Sequence, residues 1–304
     1  MSQRIHSYLC GTGVALITPF SQGKIDYQAL ERLINHVIAD GDGVEYIVCL
    51  GTTGESITLS HAERLDVLRF TIKITAERVP IVAGFFGGNN TQSLVDRLHA
   101  TALDGVDAIL SSSPNYNKPT QEGIYSHYMA MAQASPLPII IYNVPSRTAS
   151  NVEPDTIIRL ANDSPKFVAV KEASGVIGQS MRIIKHCPKH FLVLSGDDPI
   201  TLPIIACGGH GVISVIANAY PREFSAMVRA ALADDMPTAR RLNNLLLDIH
   251  KWLYIENNPA GIKGATEILG LCSRETRLPI APLSESVLQS LRTEMNLRDG
   301  KTIT

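Results

Sequence analysis

The stretch Phe167-Val168-Ala169-Val170-Lys171-Glu172-Ala173-Ser174-Gly175 places four successive apolar residues before a lysine. An apolar run without alternation reads as a strand covered on both faces, the pattern of a parallel sheet. A lysine at its end is expensive to bury, because desolvation disfavours the charged form. Desolvation of an amine favours its neutral form, the form able to attack a carbonyl. Side chains alternate along a strand, so Glu172 is expected on the opposite side from Lys171 and not as its ion-pair partner. A lysine that simply reaches solvent from a strand end is the plain alternative. The rest of the chain decides between the two.

Seven further runs share this pattern, at 13–17, 46–50, 81–84, 108–110, 138–142, 191–194 and 211–216. With the Lys171 run they make eight strand candidates, about 20 to 35 residues apart. Amphipathic helix patterns lie between them. Asp26 reads as the N-cap of a helix carrying Leu30, Leu33, Ile34, Val37 and Ile38 on one face, with Gly41 as its stop. Ser60 and Glu63 form a capping box, and Thr91 is placed to cap the helix after 81–84. Asp198 and Pro199 suit the N-cap and first helical positions. Eight such units predict a (β/α)8 TIM barrel. A doubly wound open sheet is the rival, and the first strand-to-helix turn lacks its G-x-G-x-x-G. From about Pro221 the strand signal stops. Residues 222–234, 236–254, 259–270 and 284–296 read as helices. The expected division is a barrel over 1–221 and a C-terminal helical extension over 222–304.

Composition narrows the function. The 304 residues are 45% hydrophobic and 18% charged, ample for a large core. The net charge of −2 gives no reason to expect nucleic acid or an anionic membrane as partner. No apolar run approaches the roughly 18 residues a membrane helix needs. Met1 to His6 is polar and lacks the apolar core of a signal peptide, so a cytoplasmic location is expected. Cys10, Cys49, Cys187, Cys207 and Cys272 are scattered singly, which favours reduced thiols over disulfides or a zinc cage. The nine histidines show no metal-ligand spacing, so no metal site is expected.

Polar motifs follow the strand candidates, on what would be the C-terminal, active face of a barrel. Gly51-Thr52-Thr53-Gly54-Glu55 sets two hydroxyls between glycines, where free amides can hold a carboxylate or form an ordinary tight turn. Tyr142 ends an apolar strand, where a phenol can move a proton beside a carbonyl or simply pack its ring. Arg147 follows in the loop, and its fork suits a carboxylate as well as solvent. Tyr116 lies in the loop Ser113-Pro114-Asn115-Tyr116-Asn117-Lys118-Pro119 and could reach across an interface or cover a helix end. Asp197 and Asp198 read as helix-capping residues more than as catalytic acids. No carboxylate pair of the hydrolase kind stands out.

Taken together, Gly51-Thr52-Thr53-Gly54-Glu55, Tyr142-Asn143-Val144-Pro145-Ser146-Arg147-Thr148 and Val170-Lys171-Glu172 resemble the dihydrodipicolinate synthase / N-acetylneuraminate lyase family. These are Schiff-base-forming class I aldolases. The likeness runs from Gly13 to about Leu283, and the Pro145–Thr148 and Ser113–Pro119 segments are similar to its dihydrodipicolinate synthase branch. The resemblance implies Lys171 as the Schiff-base lysine, Tyr142 as the proton-transfer phenol and Thr52 as a hydroxyl relay. It implies Tyr116 as a phenol supplied to a neighbouring subunit's site. Thr53 would bind the pyruvate carboxylate, Arg147 the carboxylate of the aldehyde, and Gly196 and Ile213 would line the pocket. The implied reaction condenses pyruvate with L-aspartate 4-semialdehyde, with no metal or organic cofactor, in a homotetramer built from tight dimers. A lyase of a sugar-derived 2-keto acid would share the lysine, the phenol and the threonines. A non-catalytic keto-acid binder on the same scaffold would not need them together. Departures from the lysine-inhibited members lie near His61, where Ile57 and Arg64 stand. Ser93 occupies a place where a glutamate is expected, and the loop Gly84–Asn89 reads one residue long. These departures weigh against inhibition by lysine.

Overall fold

The eight apolar runs form eight parallel strands that close on themselves: β1 Gly11–Ala15, β2 Tyr46–Cys49, β3 Ile81–Gly84, β4 Ala108–Ser112, β5 Ile139–Asn143, β6 Phe167–Glu172, β7 Leu192–Ser195 and β8 Gly211–Ser214. Each strand pairs with the next in sequence, and β1 also pairs with β8. This is the (β/α)8 barrel expected. The computed structural model describes residues 7–85 and 89–300. The expected length of the Gly84–Asn89 loop therefore falls largely outside the described residues.

Alternation divides each strand between two cores. One set of side chains, among them Val48, Val82, Leu110, Ile140, Ala169 and Leu194, fills the barrel interior. The other set, including Ile47, Ile109, Ile141, Val170 and Val193, packs outward against the helices. That is why the runs lack polar alternation. The floor of the barrel is shaped by one close contact. Tyr46 is fully buried and its hydroxyl donates to the Val212 carbonyl at 3.2 Å. Its ring occupies the space beside Gly13, where any Cβ would come within 2.1 Å of it.

The outer helices are α1 Tyr27–Ile38, α2 His61–Thr75, α3 Thr91–Ala100, α4 Gln121–Ala134, α5 Pro154–Asp163, α6 Ile177–His186, α7 Thr201–Ala206 and α8 Pro221–Leu232. Asp26 caps α1 through the Ala29 amide, and Ser60 and Glu63 form the expected capping box on α2. At α3 the cap is Asn90, whose side chain accepts from the Ser93 amide; Thr91 is the first helical residue. Asn90 leads here because its amide oxygen reaches an otherwise unpaired first-turn N–H. Three more helices follow: α9 Met236–Tyr254, α10 Ala260–Ile268 and α11 Glu285–Arg298. They pack on one another, and α9 packs on α8. The proposed division between 1–221 and 222–304 falls in the first turn of α8, a helix that touches β1 and α1 as well as α9.

The extension is tied to the barrel by buried charge. Lys263 of α10 and Glu55 of the loop after β2 are both fully buried, with Nζ 2.5 Å from Oε1. Lys263 also donates to the Glu275 carbonyl at 2.7 Å and lies 4.1 Å from the Phe20 ring centroid. Glu55 accepts in addition from the Arg277 amide at 3.0 Å. Burial pulls the Lys263 ammonium below its ordinary value, and the Glu55 carboxylate pulls it back up. A charge this deep is tolerated only while its partner is present. Glu55→Gln is expected to cost about 3–5 kcal/mol in urea unfolding, whereas Glu55→Leu combined with Lys263→Met costs far less. A single variant that unfolds within ~1 kcal/mol of the parent, as an exposed pair would, contradicts this account.

Candidate active site

The site grows out of the register between β5 and β6. In these parallel strands Tyr142 pairs with Lys171, and Asn143 pairs with Glu172. Laterally paired residues point the same way, so tyrosine and lysine enter the barrel together while asparagine and glutamate turn outward. Lys171 and Tyr142 are each 5% exposed, and Nζ lies 4.5 Å from the centroid of the phenol ring. Among the described residues no carboxylate lies within ion-pair distance of Lys171.

Glu172 faces away from Lys171, as alternation requires, and is buried behind the strand. Its carboxylate accepts from Asn143 Nδ2 at 3.0 Å, Gln179 Nε2 at 2.9 Å and the Ser174 amide at 2.7 Å. Asn143 is held in turn by Asn151 Oδ1 at 2.9 Å, and its own oxygen accepts from the Val152 amide. This outer layer fixes the ends of β5 and β6 and so the direction of the two side chains on the other face.

Lys171 and Tyr142 open into a cavity of about 360 Å³. Thr53, Arg147 and Gly196 lie on its wall, so five of the eight residues singled out in the sequence are brought together. Thr53 is buried, and its hydroxyl accepts from Asn258 Nδ2 at 3.0 Å. Arg147 lies on the short helix Pro145–Thr148, where Nη2 donates to Asn257 Oδ1 at 3.2 Å and to the Asn258 carbonyl at 3.4 Å. Gly196 follows β7, and its amide donates to the Glu172 carbonyl at 2.7 Å. A Cβ there would come 2.5 Å from Ala173 Cβ, so only glycine lets the ends of β6 and β7 meet below the cavity.

The other three residues stand elsewhere. Thr52 is half-buried in the turn after β2, off the cavity wall. Ile213 is buried among the barrel-interior side chains, and Val215, two residues on, reaches the cavity instead. Tyr116 projects into solvent, 86% exposed, with a left-handed backbone (φ 64°) and its amide donating to the Thr148 carbonyl at 3.2 Å.

The structure adds wall residues that the sequence did not mark. Tyr254 ends α9 and Asn258 lies in the turn into α10, so the extension supplies one side of the site; Asn257, beside it in that turn, holds Arg147 from behind the wall. The Asn-Asn-Pro break between two helices signals a turn, but not what it lies against. Burial and the Asp198 and Asp197 carboxylates push the Tyr254 phenol well up. The capping role expected of the two aspartates is corrected. Asp198 is buried, and Oδ2 accepts from the Val215 and Ile216 amides at 2.9 and 2.8 Å, tying the end of β7 to the end of β8. Asp197 precedes a 3-10 turn without capping it and lines the cavity. Among the described residues no cluster of histidine, cysteine, aspartate and glutamate could hold a metal ion, and no helix is long and apolar enough to cross a membrane.

The chemistry this site can support is amine attack on a carbonyl with a phenol at hand. Known proteins agree with that geometry. The model of the dihydrodipicolinate synthetase family matches residues 9–297. A 4-hydroxy-tetrahydrodipicolinate synthase of Flavobacterium psychrophilum is 49% identical over 282 residues, covering 92% of this chain and 95% of that protein. The crystal structure of dihydrodipicolinate synthase from Aquifex aeolicus is 42% identical with a TM-score of 0.90, covering 95% of this chain and 98% of that one. The chloride-inhibited dihydrodipicolinate synthase of Acinetobacter baumannii, complexed with pyruvate, is 38% identical with a TM-score of 0.90, covering 96% of this chain and 99% of that one. The chain belongs to the dihydrodipicolinate synthetase family.

Proposed function

We propose that this protein is the pyruvate-dependent aldolase of lysine and diaminopimelate biosynthesis, joining pyruvate to L-aspartate 4-semialdehyde to give 4-hydroxy-tetrahydrodipicolinate. The observation that carries this reading is the Lys171–Tyr142 pair at the barrel mouth. The names of the relatives, one of them complexed with pyruvate, support the substrate.

The Lys171 amine attacks C2 of pyruvate, and loss of water leaves an imine. The protonated imine draws electrons from C3, which gives up a proton and becomes an enamine carbon. That carbon attacks the aldehyde, and a phenol proton goes to the new alkoxide. The amine of the second substrate then adds to C2 and displaces Lys171, closing the ring. Tyr142 is the phenol assigned to the proton transfers, with Thr52 and Tyr116 completing the relay. Thr53 receives the pyruvate carboxylate, and Arg147 receives that of the aldehyde. Gly196 lines the substrate-binding set, and Ile213 backs it from the barrel interior. Support for the Arg147 role is its anchoring by neutral amide oxygens only, which leaves its charge for a ligand.

Tyr116 is assigned to the site of a second copy within a homotetramer that works in the cytoplasm. Its support is an aromatic ring 86% exposed on a loop whose backbone is hydrogen-bonded in place. Lysine is not an inhibitor in this reading. Among the described residues, the pocket beside Ser56 and His61 is lined by Arg64 and Arg97 and by no carboxylate that could receive an ammonium.

Borohydride with pyruvate is expected to leave a covalent adduct on the peptide holding Lys171, and Lys171→Ala to lose both adduct and turnover. Tyr142→Phe should keep the adduct while kcat falls by about 10²–10⁴-fold. Near-normal turnover in Lys171→Ala refutes the scheme. Gel filtration with activity across the peak checks the shared site, which a fully active monomer contradicts. Millimolar lysine is expected to leave the rate unchanged; a saturable loss of rate would show that the arginine-lined pocket accepts it.

A further inference from the structure

The cavity holds three charged side chains, Lys171, Arg147 and Asp197. The scheme above uses the first two and leaves Asp197 idle. Its surroundings say that it is not there for structure. It occupies the position before the 3-10 turn Asp198–Ile200, yet its side chain makes no capping bond. Its backbone is fully engaged: the amide donates to Ser195 Oγ at 3.2 Å, and the carbonyl accepts from Ser195 Oγ at 2.8 Å and Thr201 Oγ1 at 3.0 Å. Among the described residues no hydrogen bond and no ion pair reaches the carboxylate itself. The bond between strand ends is made by its neighbour Asp198. The two acids thus divide the work, one holding β7 to β8 and the other facing the cavity.

A half-buried carboxylate with no cation beside it is costly, and a ligand that carries a cation relieves that cost. Burial and the Asp198 charge hold the Asp197 carboxyl above its ordinary value. Arg147 lines the same space without a carboxylate partner among the described residues. Tyr254 lines the same cavity as both, and its phenol is raised by Asp197 and lowered by Arg147. One unpaired cation and one unpaired anion in a cavity of about 360 Å³ match a small molecule that carries both charges.

From this pattern we infer that Asp197 binds the ammonium group of the aldehyde substrate while Arg147 binds its carboxylate. This rests on the condensation proposed above and specifies its second substrate as a zwitterionic amino-acid aldehyde. A neutral, hydroxylated sugar aldehyde would leave both charges uncompensated. Asp197 is then a substrate-binding residue that sets specificity by contact with the amino group, and pyruvate activation does not need it.

The test compares two aldehydes in two proteins. Asp197→Asn is expected to raise KM for L-aspartate 4-semialdehyde about ten- to a hundredfold, the loss of one hydrogen bond to a charged group. Borohydride trapping of pyruvate stays intact in the same variant and serves as its folding control. Succinate semialdehyde, which lacks only the amino group, should inhibit parent and variant with the same constant. Asp197→Glu should keep the preference for the aminated aldehyde, and Asp197→Ser replaces the amide variant if that one does not accumulate. An unchanged KM for the semialdehyde, or equal weakening of both aldehydes, overturns the assignment while leaving the aldolase reading in place. Failure of the parent protein to trap pyruvate would overturn both.

Discussion

The Glu55–Lys263 pair is the contact on which the rest of the site depends. Both groups are removed from water, so each holds its charge only through the other and the few oxygens and amides around them. The pair fastens the loop after β2 to helix α10, and Thr53 and Asn258 of the cavity wall stand on the two sides of that junction. Two residues before Glu55 the chain presents Thr53, and five before Lys263 it presents Asn258. The Thr53–Asn258 hydrogen bond is therefore held from behind by an ionic clasp. Through the same turn, Asn257 and Asn258 hold Arg147. A barrel alone would place Lys171 and Tyr142; the clasp makes the extension a wall of their cavity.

The second constraint is register. Shifting β5 by one residue against β6 would send Tyr142 outward and bring Asn143 in beside the lysine. Nothing in the apolar face of either strand forbids this strongly, since both faces of both strands are buried. The polar layer behind them does. Glu172 needs Asn143, Gln179 and the Ser174 amide at once, and Asn143 needs Asn151 and the Val152 amide. A slipped register would strand a buried carboxylate, so the outer hydrogen bonds choose the inner pair.

This explains what could be read from the chain and what could not. Eight apolar runs with helical patterns between them specify the barrel, because parallel strands covered on both sides must be apolar throughout. Lys171, Tyr142, Thr53 and Arg147 were legible because each lies near or just past the end of a strand, and strand ends converge on one face, whereas Gly196 came only with the family resemblance. The wall made by Tyr254 and Asn258 was hidden, since the path of an extension back over a barrel mouth leaves no periodic trace. Local chemistry misled at two points. Thr91 can cap a helix as well as Asn90, and a spacing of one residue does not separate them. Asp198 before Pro199 looks like a cap, but two free amides at the end of β8 lie closer than the helix it precedes. Exposure of Tyr116 was equally invisible, because a loop aromatic carries the same letters whether it packs or projects.

Charge balance separates the parts of this molecule by purpose. Where a charge serves the fold, it is answered inside the chain: Lys263 by Glu55, and Arg277 by Glu63 at 2.6 Å. Around the cavity the charges are left open. Arg147 meets only amide and carbonyl oxygens, and the Asp197 carboxylate meets none of the described donors. Pairing either with a protein partner would have stabilised the empty site and removed the group from any ligand. The unanswered charges therefore lower the stability of the free protein in exchange for interactions that form only when substrate is present. In the proposed scheme the lysine meets an electrophilic carbonyl, the arginine an anion and the aspartate a cation.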